Sequence, residues 1–442
     1  MPATNAEVRL WGRRIGAVAM PEGSDIASFE YDPEFATSGI EVAPVEMPLL
    51  ANRIYRFPGL ARPTFNGLPG MLADSLPDLY GSALIDSWLA TQGRSPDSMN
   101  AVERLCYVGD RGMGALEFRP EAGPPRAPSH RVDLEQLREL AGEVLGQRKG
   151  LAVSFESDAR KAALQEILRV GSSAGGARAK ALIAFNPATE EVRSGQLPAE
   201  PGFEQWILKF DGVEEASRDF GAGQGYGAVE FVYSLMAEAA GIEMSACRLL
   251  KEGGRRHFMT RRFDRPSGDA KLHMQSLAAL AHLDFNQLRS HSYEQAFHLM
   301  RRLRLDANAR EQLFRRMLFN IVARNQDDHV KNIAFLMDRE GSWSLAPAYD
   351  VIYAFNPDRG RPTSMHQMSV NGAFADFAVE DIEAVGEVVP LPRGRAGKLL
   401  AEVTAAVAEW PALAADSDIP TATIDSIAAT HRLQLQATHR PG

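Results

Sequence analysis

The chain has 442 residues, 45% of them apolar and 24% charged, and 48 basic against 57 acidic side chains give a formal charge of −9. Single cores stop growing at roughly 250–300 residues, so this length predicts two or three lobes, and the acidic balance excludes a protein whose main task is to bind nucleic acid through a basic surface. Two distant cysteines, Cys106 and Cys247, argue against a disulfide scaffold or a zinc site. With no signal-peptide pattern and no run of roughly 18 uncharged apolar residues, the expected compartment is the cytoplasm, without a membrane partner.

Residues 1–120 read as strand-rich. Short apolar runs at 8–11 and 15–19 are separated by Gly and Pro turns, and a helical pattern runs through Ala83, Leu84, Ile85, Trp88 and Leu89. The Pro-rich stretch 120–129 reads as a linker. A helix is predicted over 131–146, and a small-residue loop at 171–180 leads into an apolar strand. Another strand covers Gln205 to Phe210. On it Trp206, Leu208 and Phe210 share one face, and Ile207 and Lys209 share the other. A helix over 227–240 ends at Gly241. A strand through 258–265 leads to a mostly helical remainder. Its clearest helix runs from about 308 to 323, with Leu313, Phe314, Met317, Leu318, Ile321 and Val322 as an apolar stripe. Further helices are predicted around 396–409 and 424–437. The expected organisation is a strand-rich subdomain at 1–120, a nucleotide-binding lobe at 131–264 and a helical lobe at 265–442.

The strongest chemical signal follows the 308–323 helix. There Asp327-Asp328-His329-Val330-Lys331-Asn332 forms a polar loop before an apolar hairpin, and Asp350 stands 18 residues beyond Asn332. Phosphoryl transfer needs one carboxylate to orient or deprotonate the acceptor hydroxyl. It needs an Asn and a second carboxylate to hold Mg²⁺ against the phosphates. Asp327 and Asn332 have the Asp-x-x-x-x-Asn spacing of a kinase catalytic loop. A solvated turn would explain any one of these residues alone, and explains the three in this order less well. The 171–180 loop is not a Walker A motif, because Ala177 stands where the Lys belongs, and a tight turn explains it about as well as a phosphate cradle. Lys209 is suited to grip phosphate, with Glu230 of the following helix as its expected partner. Asp328 has only a solvent-facing explanation at this level.

Five stretches together resemble the HipA family of bacterial serine/threonine kinases, toxins of toxin–antitoxin systems. They are 172–181, Ile207-Leu208-Lys209, Arg262-Phe263-Asp264-Arg265, Asp327 to Asn332, and Ala348-Tyr349-Asp350-Val351. The resemblance implies an α+β, kinase-like two-lobed architecture, with a mixed strand-rich N-terminal region and a mainly helical C-terminal lobe. It implies ATP and Mg²⁺ as cofactors, Asp327 as catalytic base, and Asn332 and Asp350 as metal ligands. It places Ala174, Gly175, Gly176, Ala177, Arg178 and Ala179 in the phosphate loop and Lys209 on the phosphates. Arg261, Arg262 and Phe263 would line the adenine hinge, with His329, Val330, Lys331, Asn332, Tyr349 and Asp350 at the nucleotide. Ser172, or Ser173 if the register slips by one, would be the autophosphorylated serine. Where the family's hinge carries an acidic residue this chain has Arg261, which leaves the adenine contact there to the backbone. The implied partners are a helix-turn-helix antitoxin of HipB type, DNA through that antitoxin, and a protein substrate such as an aminoacyl-tRNA synthetase. Two other readings stand beside this one: a lipid or small-molecule kinase with a phosphoinositide-kinase-like loop, and a non-catalytic co-regulator with a kinase fold.

Overall fold

The computed structural model describes residues 4–122, 132–147, 167, 178–195, 200–213, 225–268, 270–358 and 360–435. The predicted phosphate-loop residues 174–177, together with Ser172 and Ser173, lie outside them, as does most of the Pro-rich linker.

The chain opens with strands β1 (Asn5–Leu10), β2 (Arg13–Ala19), β3 (Ser28–Tyr31) and β4 (Ile54–Tyr55). Strand β5 (Leu116–Arg119) pairs antiparallel with β1 and completes a five-stranded sheet in the order β4-β3-β2-β1-β5. Val8, Leu10, Ile15, Val18 and Phe29 turn inward to a core shared with Phe65, Leu72, Leu105 and Phe118. The alternation on β1 is the period-2 pattern of a half-buried strand.

A second antiparallel sheet has the order β7-β6-β8-β10-β9. Its members are β6 (Lys180–Phe185), β7 (Val192–Ser194), β8 (Glu204–Lys209), β9 (Cys247–Glu252) and β10 (Arg255–Arg261). One face buries Ile183, Trp206, Leu208 and Met259 against the helices Leu79–Thr91 and Leu134–Gln147. The Leu79–Thr91 helix, early in sequence, therefore belongs to the core of the second sheet. The opposite face, which carries Lys209, looks toward the helix Tyr226–Ala239. That helix begins hard against β10, where a Cβ on Gly227 would collide with the carbonyl of Arg256. Its other side packs into the helical lobe through Val232, Tyr233 and Met236.

The helical lobe centres on Ala307–Val322. Asp306 caps this helix by accepting from the Ala309 amide at 2.8 Å. All six residues of the predicted stripe are fully buried. Around it lie the helices Tyr293–Arg302, Val379–Val388, Arg395–Ala408 and Trp410–Asp416. Strands β11 (His273–Ser276), β13 (Ala334–Met337) and β14 (Trp343–Leu345) form a small antiparallel sheet, and β12 (His291–Ser292) pairs with β15 (Met368–Ser369).

One sequence expectation needs correction here. Among the described residues the last helix spans Thr421–Ala428 and stops well short of the end of the predicted 424–437 range. Beyond Ala429 the chain leaves helical geometry because its groups are taken by other elements. The Thr430 carbonyl accepts from Arg324 Nε at 2.7 Å, and the Arg432 amide donates to the Val322 carbonyl at 2.8 Å. The C-terminal segment thus lies along the end of the Ala307–Val322 helix.

Candidate active site

The Ala307–Val322 helix stops where Arg324 takes a φ of 60°, and the chain turns into the polar loop. This loop is tied to the segment that follows β14. Asn325 bridges Ala354 in parallel, the Gln326 amide donates to the Ala354 carbonyl at 3.0 Å, and the Ala354 amide donates to the Arg324 carbonyl at 3.1 Å. Asn325 Nδ2 also reaches the Asp350 carbonyl at 3.4 Å. These bonds bring Asp327 and Asp350 into one site. Asp350 has a φ of 51°, in the left-handed region that Asp tolerates better than most side chains.

Lys209 connects the lobes. Its ammonium lies 2.5 Å from Glu230 Oε1 and also contacts the Asp350 carboxylate. The Lys209–Glu230 pair expected from the sequence is thus present. Glu230 is almost wholly buried and is paired a second time, to Arg178 Nη1 at 2.8 Å. An uncompensated charge there would cost several kcal/mol, and Lys209 and Arg178 together supply the counter-charge. Burial pushes the Lys209 ammonium down, and Asp350 and Glu230 more than offset this, leaving it above its ordinary range. Burial likewise pushes Asp350 up, but Lys209 and Lys180 hold its carboxyl at about 2. Asp350 is therefore ionised at any physiological pH.

Asp327 has the opposite balance. Its side chain is exposed, and the protein atoms beside it remove only part of its hydration. Desolvation, together with the charges of Asp350 and Asp328, raises its pKa despite His329 and Arg178. Asn332 closes the loop, donating from Nδ2 to the Asp327 carbonyl at 2.9 Å. The amide's nitrogen end is committed there, and Oδ1 is the end left to act as an oxygen ligand. Tyr349 donates from its hydroxyl to the Lys331 carbonyl at 2.6 Å, and its ring lies 5.7 Å from that of Phe263. Val330 is buried, Lys331 lies over the Phe285 ring at 4.9 Å, and the His329 ring is 5.8 Å from Phe285. Between the loop and the Ala307–Val322 helix is a cavity of about 30 Å³, lined by Asn320, Asn325, Asp328 and Asn332 among others. Its volume suits a water and not a nucleotide.

Two placements differ from what the sequence suggested. Asp328 is not solvent-facing; it is 3% exposed and accepts three hydrogen bonds, from Tyr293, His366 and the Gln367 amide. Arg262 does not present its guanidinium to an adenine pocket. It is buried, donates to Asp264 at 2.7 and 3.0 Å and to the Gly112 carbonyl at 3.2 Å, and so joins the hinge to the N-terminal sheet. Arg261 is half exposed, 3.4 Å from Glu204. Lys180 was missed by the sequence reading. It is buried on β6, 2.8 Å from Asp78, and its charge acts on Asp350. A Lys at the head of an otherwise apolar strand was the available signal. Ala179 is buried beside it.

Two family models match the chain: the HipA N-terminal domain over residues 6–119 and the HipA-like C-terminal domain over residues 172–410, more than half the length. The chain belongs to the HipA family. No curated protein sequence matches it. Among solved structures, HipA of Shewanella oneidensis MR-1, determined with HipB and its operator DNA, matches with a TM-score of 0.65 and 17% identity, over 96% of this chain and 95% of that one. The Helicobacter pylori proinflammatory kinase CtkA matches with a TM-score of 0.29 and 11% identity, over 59% of this chain and 83% of that one. At such identity the first likeness concerns the fold. In this HipA-family chain the C-terminal domain match takes in Lys209, the 327–332 loop and Asp350, and the N-terminal match takes in Gly112 and Gly114, which Arg262 and Asp264 grip just before β5.

Proposed function

We propose that the chain is an ATP- and Mg²⁺-dependent serine/threonine protein kinase of HipA type, the toxin of a toxin–antitoxin module. The observation that carries this reading is Lys209, held between Glu230 and Asp350, next to a loop that sets Asp327 and Asn332 against the Asp350 segment.

The donor set fits a magnesium nucleotide. Mg²⁺ prefers hard oxygens and usually takes only one or two protein ligands, with phosphate and water supplying the rest. Asn332 Oδ1 and the ionised Asp350 carboxylate would hold it, and Lys209 would meet phosphate oxygens. An ion held there would supply neutralisation of the phosphate charge. Asp327, with its raised pKa, would orient the acceptor hydroxyl and take its proton. Arg178, on the N-terminal side of β6, is a further cation on the same face. By family resemblance, the loop at 174–179 would cover the phosphates, the backbone of 261–263 and the Phe263 ring would meet the base, and Ser172 or its neighbour would be the self-modified residue.

The structural neighbour from Shewanella was determined with HipB and operator DNA. On that analogy the partner is a small helix-turn-helix antitoxin, and the net charge of −9 suits DNA contact through the partner. By resemblance, an aminoacyl-tRNA synthetase is the substrate class and the cytoplasm the compartment. Among the described residues no helix is long and apolar enough to cross a membrane.

The test is phosphate transfer from labelled ATP with Mg²⁺ to the protein itself, to a cell lysate and to lipid vesicles. Label in protein serine or threonine is expected. Label in lipid alone would overturn the protein-kinase reading in favour of a lipid kinase, and no transfer to any acceptor would favour a non-catalytic co-regulator.

A further inference from the structure

Asp328 adjoins the proposed base, yet its carboxylate is turned away from solvent and fully committed to the helical lobe. Oδ2 accepts from the Tyr293 hydroxyl and from His366 Nδ1, both at 2.9 Å, and Oδ1 accepts from the Gln367 amide at 2.8 Å. Tyr293 in turn accepts from Asn320 Nδ2 at 2.9 Å, and Asn320 Oδ1 accepts from Asn325 Nδ2 at 3.0 Å. The network therefore closes on the loop from both its faces.

The orientation of His366 is fixed from beyond it. Arg432 Nη1 lies 3.0 Å from His366 Nε2. An arginine can only donate, so Nε2 is the acceptor and the proton sits on Nδ1, where it points at Asp328. Burial, more than Asp328, governs the ring and lowers its pKa, consistent with a neutral imidazole. Arg432 is itself seated by the Ile321 carbonyl at 3.2 Å and by the Phe377 ring at 5.3 Å. Its neighbour His431 lies 3.0 Å from the Tyr233 hydroxyl, which donates to the Ala323 carbonyl at 2.7 Å. None of these groups touches Asp327, Asn332 or Lys209 through a side chain.

We infer that Asp328 is a positioning residue: with Tyr293, His366 and Arg432 of the C-terminal segment it locks the 325–332 loop in the geometry that phosphoryl transfer requires. The functional half of this inference rests on the kinase reading; the structural half does not. Misplacing a reacting group by about 1 Å can lower a rate on the order of 10²-fold without weakening ground-state binding.

The experiment uses the full chain and four proteins: wild type and the variants Asp328→Asn, His366→Asn and His366→Gln. An asparagine amide can put N–H where Nδ1–H stood, whereas a glutamine amide reaches the Nε2 position. Phosphate transfer from labelled ATP with Mg²⁺ to casein gives kcat and the KM for ATP. Hydrogen exchange over 324–333, referenced to 311–320, reads the lock without any turnover. Asp328→Asn and His366→Gln are expected to lose on the order of 10² in kcat with KM for ATP unchanged, and to exchange faster over 324–333 only. His366→Asn, which keeps the bond to Asp328 and gives up the one to Arg432, is expected to lose clearly less than His366→Gln in both readouts. Unchanged kcat and exchange in Asp328→Asn would overturn the inference. So would equal losses in the two His366 variants, which would mean packing alone, or a loss confined to KM. If wild type labels neither casein nor itself, the kinase reading falls while the exchange comparison still decides the lock. Should Asp328→Asn fail to fold, the His366 pair decides it.

Discussion

Replacing Asp264 by asparagine removes one charge from the buried junction between the hinge and the N-terminal sheet while nearly keeping its shape. The carboxylate accepts from Arg262 at 2.7 and 3.0 Å, from Arg265 at 2.6 Å and from the Gly114 amide at 2.7 Å, with no exposure to solvent. Burial alone would raise its pKa, and the two guanidinium groups more than reverse this, from 3.8 to about 2. At about 1.4 kcal/mol per decade, that depression is worth roughly 2.5 kcal/mol of folding stability. Asp264→Ala should cost more, about 3–5 kcal/mol, because it leaves Arg262 buried with no counter-charge. The sign follows from the depressed pKa: the contribution is fully present above the unfolded value near 3.8 and is lost as pH falls through about 2. Urea unfolding at pH 7 and again near pH 3 should therefore show a gap between wild type and Asp264→Asn that narrows in acid. Arg262→Ala, measured beside it, should destabilise and leave the KM for ATP unchanged. A gap below about 1 kcal/mol at pH 7, or one that ignores pH, would refute the charge argument. A tenfold rise in the KM for ATP in a stable Arg262→Ala protein would return Arg262 to the nucleotide.

Asp327→Asn is expected to abolish self-phosphorylation, a loss of about 10²-fold or more, with the melting temperature retained; undiminished labelling would remove Asp327 from the mechanism. Because desolvation raises the Asp327 pKa, the base is ionised only above that raised value, so kcat/KM for the protein acceptor at saturating magnesium ATP should fall in acid earlier than an ordinary carboxylate would dictate. An acid limb at or below about 3.9 would contradict this. Lys180→Met strands Asp78, which also caps the Leu79–Thr91 helix through the Gly81 amide, and should cost about 3 kcal/mol or more in denaturant unfolding. Induced expression of wild type should arrest growth and Asp350→Asn should not; equal arrest would separate toxicity from phosphoryl transfer.

The parts of the site that were legible share one property: their signal is local. Asp327, Asn332 and Asp350 stand in a fixed order around an apolar hairpin, and the stripe from Leu313 to Val322 announces the helix that presents them. The Lys209–Glu230 pair could be guessed because a strand face and the next helix are neighbours in chain order. The illegible residues depend on partners far away in sequence. Asp328 looks like a second solvated carboxylate until Tyr293, 35 residues earlier, and His366, 38 residues later, close on it. Arg262 looks like part of a nucleotide hinge until Gly112, 150 residues earlier, folds against it and Asp264, held by the Gly114 amide, pairs with it. The apolar spacing of Ile424 and Ile427 invites a helix through 437. The rival claim on Thr430 and Arg432 comes from Arg324, Ile321 and Val322, more than 100 residues away. In each case the distant partner is charged or hydrogen-bonding and the local pattern is indifferent to it. That is why polar residues with no local task, Asp328 and Lys180 above all, are the ones that tie the lobes and the loop together, and why substituting them should test the architecture of the site more sharply than substituting the residues whose spacing first revealed it.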